Sequence, residues 1–158
     1  MPSVYLIDDQ AELDQFFADL ADEFYGTRMR ELMESEVAEV EEVERNSFAN
    51  QTAPNGQAWA PLKPATIKRK GHSRILVETG RLGVSLTQSG HPDAVVEIVD
   101  EPGQGGFSRG TAVEYAGYHQ KGTKRMPARP PVGVDEEYVD GFAERAADHL
   151  VENLKAGA

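Results

Sequence analysis

The fold of this chain depends on a stretch of nine residues, Pro54-Asn55-Gly56-Gln57-Ala58-Trp59-Ala60-Pro61-Leu62. It begins with a proline, an asparagine and a glycine in succession, a combination that predicts a turn. It contains the only tryptophan of the sequence, followed closely by Pro61 and Pro64. Because a tryptophan side chain buries a large area at a low entropic cost, we expect Trp59 to pin a long, ordered loop onto the hydrophobic core. This role as a core anchor is favoured over contact with a ligand.

Two amphipathic helices are predicted before this loop, after a short strand over residues 3–7. The first helix spans about residues 9–25, with Asp8 or Asp9 as its N-cap. The second spans about residues 28–48, with acidic residues on the faces outside its apolar stripe. The stripe consists of Met29, Leu32, Met33, Val37, Val40, Val43 and Phe48. A stripe this narrow is typical of a seam against one neighbour, which is either the first helix or another subunit.

Strands and turns are predicted after the loop. Residues 65–74 form either a short helix or an ordered loop. Residues 84–87 and 94–99 read as two strands joined by a turn at 89–93, and residues 102–106 read as a flexible loop. Residues 111–118 are either a strand or a helical turn. Three prolines extend the backbone over residues 126–131, and Asp135 caps a final helix whose apolar face carries Phe142, Ala146, His149 and Leu150.

These elements predict an α+β fold in a single domain over residues 1–158. Two N-terminal helices and one C-terminal helix would flank a small antiparallel β-sheet, with long ordered loops between them. An acidic helical section occupies residues 9–49.

Charge is distributed unevenly along the chain. The formal net charge is -11. Residues 1–50 contain fourteen acids and three bases, whereas residues 51–129 contain eleven bases and six acids. Such asymmetry suits head-to-tail contact between copies, although a solvated acidic helix beside an ordinary mixed surface explains it as well. The sequence contains no cysteine and no apolar run long enough to span a membrane, and its first residues lack a signal pattern, so we expect synthesis in the cytoplasm.

Residue patterns for catalysis are weak. The four histidines, His72, His91, His119 and His149, have neither the spacing of a zinc motif nor carboxylates in metal-ligand order. Ser85 and Ser108 lack the glycines of a nucleophile elbow. We therefore expect no enzymatic activity, no metal and no cofactor. For His119, which precedes Gln120 and a glycine, we expect a structural hydrogen bond.

Basic residues form two clusters, one made of Lys63, Lys68, Arg69, Lys70 and Arg74 and the other of Lys121, Lys124, Arg125 and Arg129. The negative net charge argues against tight binding of nucleic acid, because phosphate contacts dominate such affinity. A surface that faces solvent or another subunit is the better explanation.

Four motifs occur in order between Phe48 and the final helix. The first is the loop 54–62, and the second is the segment 76–82, which contains Thr79, Gly80 and Leu82. The third runs from Tyr115 to His119 and Gln120, and the fourth is Pro127-Ala128-Arg129-Pro130. In this order and spacing they resemble the phage virion morphogenesis family, also called the tail completion family. The family usually has a bulky apolar residue after the arginine-proline pair, where this chain has Pro131.

The resemblance implies a structural virion protein that forms a ring, expected to be a hexamer, at the head-proximal end of the tail. Such a ring would end tube growth and join the tail to the head. Its partners would be its own copies, the tail tube or sheath, and the head–tail connector, with passing contact with genome DNA in the lumen. The alternatives are a head–tail adaptor on the capsid side of the neck and, in a different class, a monomeric acidic inhibitor of a host protein.

A closed ring joins two different patches of each subunit. We expect one patch on the acidic helix 28–48 and the other on the basic segments 63–74 or 121–129. Arg129, held between prolines, is predicted to form a salt bridge, either within the chain or with a neighbouring subunit. The candidate interface residues are Glu39, Glu42, Trp59, Lys68, Arg69, Lys124, Arg125 and Arg129.

Overall fold

A computed structural model describes Ala11, Asp14, Gln15 and Ala18 together with residues 28–101 and 104–156. In chain order, these residues form helices α1 (Met29–Asn50), α2 (Pro64–Lys70) and α3 (Arg81–Thr87), strands β1 (Ala94–Glu101) and β2 (Gln104–Thr111), and helices α4 (Ala116–Lys121) and α5 (Glu136–Ala156). The two strands pair antiparallel. The predicted α+β class is confirmed.

The N-terminal predictions are described only in part. Ala11, Asp14, Gln15 and Ala18 are helical, as predicted for residues 9–25. The predicted strand over residues 3–7 lies outside the described residues.

Helix α1 is the longest of the described elements, and both of its ends contribute buried residues to the core. Its predicted apolar stripe is confirmed at Met29, Leu32, Met33, Val37, Val40 and Phe48, which are buried. Two glutamates, Glu36 and Glu44, are buried with them, although we expected the acids to lie outside the stripe. The helix ends where Gln51 adopts a left-handed conformation, with its backbone N–H donating to the Ser47 carbonyl.

Two hydrophobic clusters form the core. The larger one surrounds the C-terminal end of α1 and contains Phe48, Trp59, Leu82 and Leu86. The rings of Phe48 and Trp59 meet edge to face, with 5.5 Å between their centroids. The smaller cluster surrounds the start of α1, where Met29, Leu32 and Met33 pack against Ile98 and Phe107 of the hairpin and against Phe142 and Ala146 of α5.

The predicted strand at residues 84–87 was wrong, because this segment belongs to helix α3. Leu82, Ser85 and Leu86 are its buried residues, and their spacing of three and four positions is that of one helical face. The alternation that suggested a strand covers only four residues, which is too few to distinguish the two periods. Residues 65–74, left open between a helix and a loop, contain α2.

The β-hairpin is also shifted along the chain from its predicted position. Strand β1 pairs with residues 104–111, with Ile98 opposite Phe107. The prediction of a flexible loop over residues 102–106 was therefore wrong for residues 104–106. A Cβ atom on Gly105 would lie 2.7 Å from the Met29 sulfur, so glycine permits close contact between β2 and α1.

The final helix begins as predicted. The Asp135 carboxylate accepts a hydrogen bond of 2.7 Å from the Tyr138 backbone N–H, which satisfies one of the free donors of the first turn. On its predicted apolar face, the ring of His149 lies 3.0 Å from the Arg28 carbonyl. Residues 111–118, left open between strand and helical turn, contain the end of β2 and the start of α4.

Candidate functional site

The four sequence motifs converge on one cleft. Its volume is about 740 Å³, and helices α2 and α4, the segment before α3 and residues 125–129 form its walls. Each motif contributes to the lining: Leu62, Thr79, Gly80, Leu82, Tyr115, His119, Pro127 and Arg129. The cleft is therefore the structural feature that these separated motifs have in common.

Trp59 anchors the first motif to the fourth. Its side chain is 4% exposed, and its indole N–H donates to the Pro130 carbonyl at 3.0 Å. The predicted role as a core anchor is confirmed. Because the side chain is buried within its own chain, Trp59 does not offer a surface to a neighbouring copy.

Arg129 fastens the same two motifs from the opposite side. Its Nε donates to the Ala60 carbonyl at 2.6 Å and its Nη2 to the Pro61 carbonyl at 3.0 Å. Arg129 is 6% exposed, and it forms no salt bridge with a described carboxylate, so the salt bridge to a neighbouring subunit stays a prediction. Pro61 fixes the backbone direction of these acceptors, because its ring restricts φ.

The third and fourth motifs are joined through backbone and amide groups. The Arg129 N–H donates to the His119 carbonyl at 2.8 Å. The Gln120 amide donates to the Val132 carbonyl at 2.9 Å and accepts from the Val132 N–H at 3.2 Å. A Cβ atom on Gly122, where φ is 72°, would lie 2.7 Å from the Ala128 nitrogen, so only glycine permits this approach.

The turn predicted at residues 54–56 is confirmed, and a second turn precedes α3. Gly56 and Gly80 both have positive φ, at 80° and 84°. Asn55 accepts a hydrogen bond of 3.2 Å from the Gln57 N–H, as an asparagine in a turn commonly does. Gly80 directly precedes α3, which places Leu82 in the core with 1% exposure. Pro54 and Pro131 are buried as well.

The lining of the cleft is strongly cationic. It contains six cationic side chains, Lys63, Arg69, Lys70, Arg81, Arg125 and Arg129, and one carboxylate, Glu78, which leaves a formal charge of +5. Arg69 pairs with Glu78 at 2.9 Å, and Arg81 pairs with Asp93, just outside the lining, at 2.5 Å and 2.7 Å. The other four cations form no salt bridge with any residue that the structure describes.

Positive charge also affects the titration of the cleft residues. Burial lowers the pKa of His119, and the nearby charges of Arg129 and Lys70 lower it further. Burial likewise lowers the pKa of Lys70, to which Arg69 and Arg129 contribute, while Glu78 opposes the change. His119 Nδ1 is buried without a hydrogen-bond partner in the described part of the chain. The hydrogen bonds that the structure gives His119 use its backbone, whose carbonyl accepts from the Arg129 N–H and whose N–H donates to the Tyr115 carbonyl at 3.4 Å.

The remaining predicted interface residues lie on the surface. Lys68 and Arg69 on α2, and Lys124 and Arg125 in the loop after α4, are exposed. Glu39 and Glu42 on α1 are also exposed, and Glu42 forms a salt bridge with Arg45.

Two buried carboxylate networks were missed by the sequence analysis. Glu36 accepts hydrogen bonds of 2.7 Å from Arg145 and from the Tyr138 hydroxyl, which tie α1 to α5. Glu44 and Glu41 accept from Arg109 at 2.9 Å and 3.1 Å, which ties α1 to β2. A signal was present, because Glu36 lies seven residues after Met29, and Glu44 four after Val40, on the same helical face.

Neither a metal site nor a membrane span is found in the part of the chain that the structure describes. No group of three or more histidine and acidic side chains there is arranged to hold a metal ion. None of its helices is long and apolar enough to cross a lipid bilayer.

A comparison of the sequence with known families assigns this α+β chain to the structural and assembly proteins of phages. The model of the phage virion morphogenesis family matches residues 8–151. The chain therefore belongs to the phage virion morphogenesis family. No curated protein and no solved structure shows significant similarity to it.

Proposed function

We propose that this protein forms a ring at the head-proximal end of the phage tail, where it ends tube growth and joins the tail to the head. Membership of the phage virion morphogenesis family supports an assembly role. The observation that carries the ring proposal is that one chain bears two surfaces of opposite charge. These are the exposed acids of α1, among them Glu31, Glu34 and Glu39, and the bases of the cleft and its surroundings.

Two surfaces of opposite charge on one subunit suit a heterologous contact, in which two different patches meet around a closed ring. The exposed bases Lys68 and Lys124, each next in sequence to a residue of the cleft lining, would face the exposed acids of α1 on the next copy. Charge complementarity of this kind favours correct encounter and register, and salt screens it.

A purely structural role agrees with how the motif residues are used. The polar groups of Trp59, Gln120 and Arg129 form hydrogen bonds with carbonyl and N–H groups of their own chain. We therefore propose that the protein acts by binding its own copies, the tail tube or sheath, and the connector, without catalytic turnover. Genome DNA would pass through the ring without sequence-specific contact.

The test is a phage that carries a nonsense codon early in the gene, grown with and without a plasmid-borne copy. Without the protein, we expect full heads and unjoined tails, with tube lengths that exceed the normal distribution in electron micrographs. Normal tails that remain joined to heads would contradict the proposal.

Symmetry of the assembled protein separates the two neck positions. A six-fold ring on the tail end, seen by cryo-electron microscopy, agrees with tail completion. A twelve-fold ring on isolated heads would assign the protein to the capsid side, and a monomer absent from purified particles would favour an inhibitor of a host protein.

A further inference from the structure

Arg129 carries a buried charge that no described residue of its chain neutralises. Its guanidinium donates to two carbonyl oxygens, which satisfy hydrogen bonds but supply no negative charge. Burying a cation is costly unless an opposite charge accompanies it. Lys63, Lys70 and Arg125 in the same lining also lack a salt bridge with any described residue. The cleft therefore favours a ligand that brings carboxylates.

The cleft is apolar as well as cationic. Leu62, Leu76, Leu82, Met126 and Pro127 contribute to its lining. Polyanions such as duplex DNA present charge with little apolar surface to such a wall, whereas an amphipathic acidic peptide matches both properties. The volume of about 740 Å³ accommodates several side chains.

One part of this chain has both properties. Residues 1–27 contain seven acids, Asp8, Asp9, Glu12, Asp14, Asp19, Asp22 and Glu23, and no lysine or arginine. Leu13, Phe16, Phe17, Leu20 and Phe24 alternate with these acids at helical spacing. No other stretch of similar length contains as many acids without a lysine or an arginine.

Helix α1 is a weaker candidate for the same role. Three of its seven acids, Glu36, Glu41 and Glu44, already bind Arg145 or Arg109 within the chain. Its remaining acids share the helix with Arg30 and Arg45.

We propose that the cleft binds the acidic N-terminal section, residues 1–27, of a neighbouring copy. This contact would link successive subunits of the ring from a carboxylate-rich segment of one to the cationic cleft of the next. The inference rests on the proposed ring and names the segment that joins its subunits.

The first experiment identifies which copies are in contact. Equal amounts of ¹⁴N- and ¹⁵N-labelled protein are mixed and treated with a carbodiimide, which couples carboxylates directly to lysine amines. We expect cross-links from Lys63 or Lys70 to Asp19, Asp22 or Glu23, with half of them joining a light to a heavy peptide. Cross-links confined to peptides of equal label would place the segment within its own chain and overturn the proposal.

The second experiment tests the charges. Reversal at two exposed lining residues, Lys63→Glu with Arg125→Glu, should shift the wild-type assembly to monomer in sedimentation velocity at 50 mM salt. Adding Asp19→Lys, Asp22→Lys and Glu23→Lys to the same chain should restore assembly. Arg74→Glu with Lys121→Glu changes the net charge equally outside the lining and serves as the matched control. A circular dichroism melt confirms that each variant is folded.

The outcomes distinguish this inference from the ring itself. If wild-type and cleft variant assemble alike, or if the control fails as the cleft variant does, the inference is overturned while the ring stands. If a 30-base-pair DNA duplex binds wild type but not the cleft variant, and a peptide of residues 1–27 does not compete, the cleft is a DNA site and the inference is also overturned. Cross-linked copies that are absent from tails would support the inference and contradict the proposed function.

Discussion

Arg109 and Glu44, which lie 65 positions apart in the sequence, form a buried ion pair between β2 and α1. The Nε of Arg109 donates to Glu44 Oε2 at 2.9 Å, and the Glu44 side chain is fully buried. Arg109 also donates to Glu41, to the Ser89 hydroxyl and to the Leu86 carbonyl. A single guanidinium thus holds together α1, the end of α3 and the hairpin.

The raised pKa of Glu44 should make the free energy of unfolding depend on pH. Burial raises the pKa of this carboxyl to about 7, an effect that Arg109 offsets only in part. The folded state therefore binds more protons than the unfolded state between about pH 4.5 and 7, so this group's contribution to stability falls as the pH rises through that range. In urea titrations, Glu44→Gln should remove a slope worth roughly 2–3 kcal/mol between pH 5 and 7.5. Glu39→Gln, on the exposed face of the same helix, is the control and should leave the slope unchanged. An identical slope for wild type and Glu44→Gln would refute this assignment.

Loss of Arg145 should destabilise the chain by leaving Glu36 buried without its cation. Burial alone would raise the pKa of Glu36, but hydrogen bonds from Arg145 and Tyr138 outweigh it and lower the pKa. This contribution to stability is present above about pH 4.5 and is lost as the pH falls further. At pH 7, Arg145→Met should lower the free energy of unfolding by roughly 3–5 kcal/mol. The double variant Glu36→Gln with Arg145→Met should lose much less, since no unpaired charge remains. Equal losses in the single and double variants, measured in urea, would count against a charge effect.

Arg129→Lys tests the connection between the first and fourth motifs. A lysine ammonium cannot reproduce the planar geometry with which Arg129 binds the Ala60 and Pro61 carbonyls. We expect a loss of about 1–2 kcal/mol in thermal unfolding, together with a red shift of Trp59 fluorescence as the loop loosens. Arg125→Lys, at an exposed position four residues earlier, is the matched control. Unchanged stability and fluorescence in Arg129→Lys would show that the motif does not depend on this side chain.

Reversal of charge outside the cleft tests the proposed contact between Lys68 and Lys124 of one copy and the exposed acids of α1 on the next. Lys68→Glu with Lys124→Glu should weaken assembly at least tenfold at 50 mM salt without lowering the melting temperature, because both side chains are exposed. Arg129 is left intact in this design, since its role in the fold would obscure the result. Glu34→Lys with Glu39→Lys in the same chain should recover assembly if α1 is the opposing surface. Light scattering that detects full assembly of the Lys68/Lys124 variant would exclude this pair of patches.

The sequence by itself determined the local features of the protein. Turn residues, helix periodicity and capping depend on neighbouring positions, so the turn at Gly56, the cap at Asp135 and most of the α1 stripe were predicted correctly. The order of the motifs was also enough to predict the family, and the match over residues 8–151 confirms that prediction. Periodicity failed where a segment was short, as at residues 84–87, or where glycine obscured a strand, as at residues 104–106.

Only the tertiary structure decided which distant groups meet. Arg129 was expected to form a salt bridge within the chain or with a neighbouring subunit, and within the chain the fold brings it against the carbonyls of Ala60 and Pro61, 69 and 68 positions away. The convergence of four motifs on a cationic cleft, and the burial of Glu36 and Glu44 beside their arginines, likewise join residues far apart in the chain. Hydrogen bonds and ion pairs act over a few ångströms in space, and separation along the sequence does not encode that distance until the chain has packed.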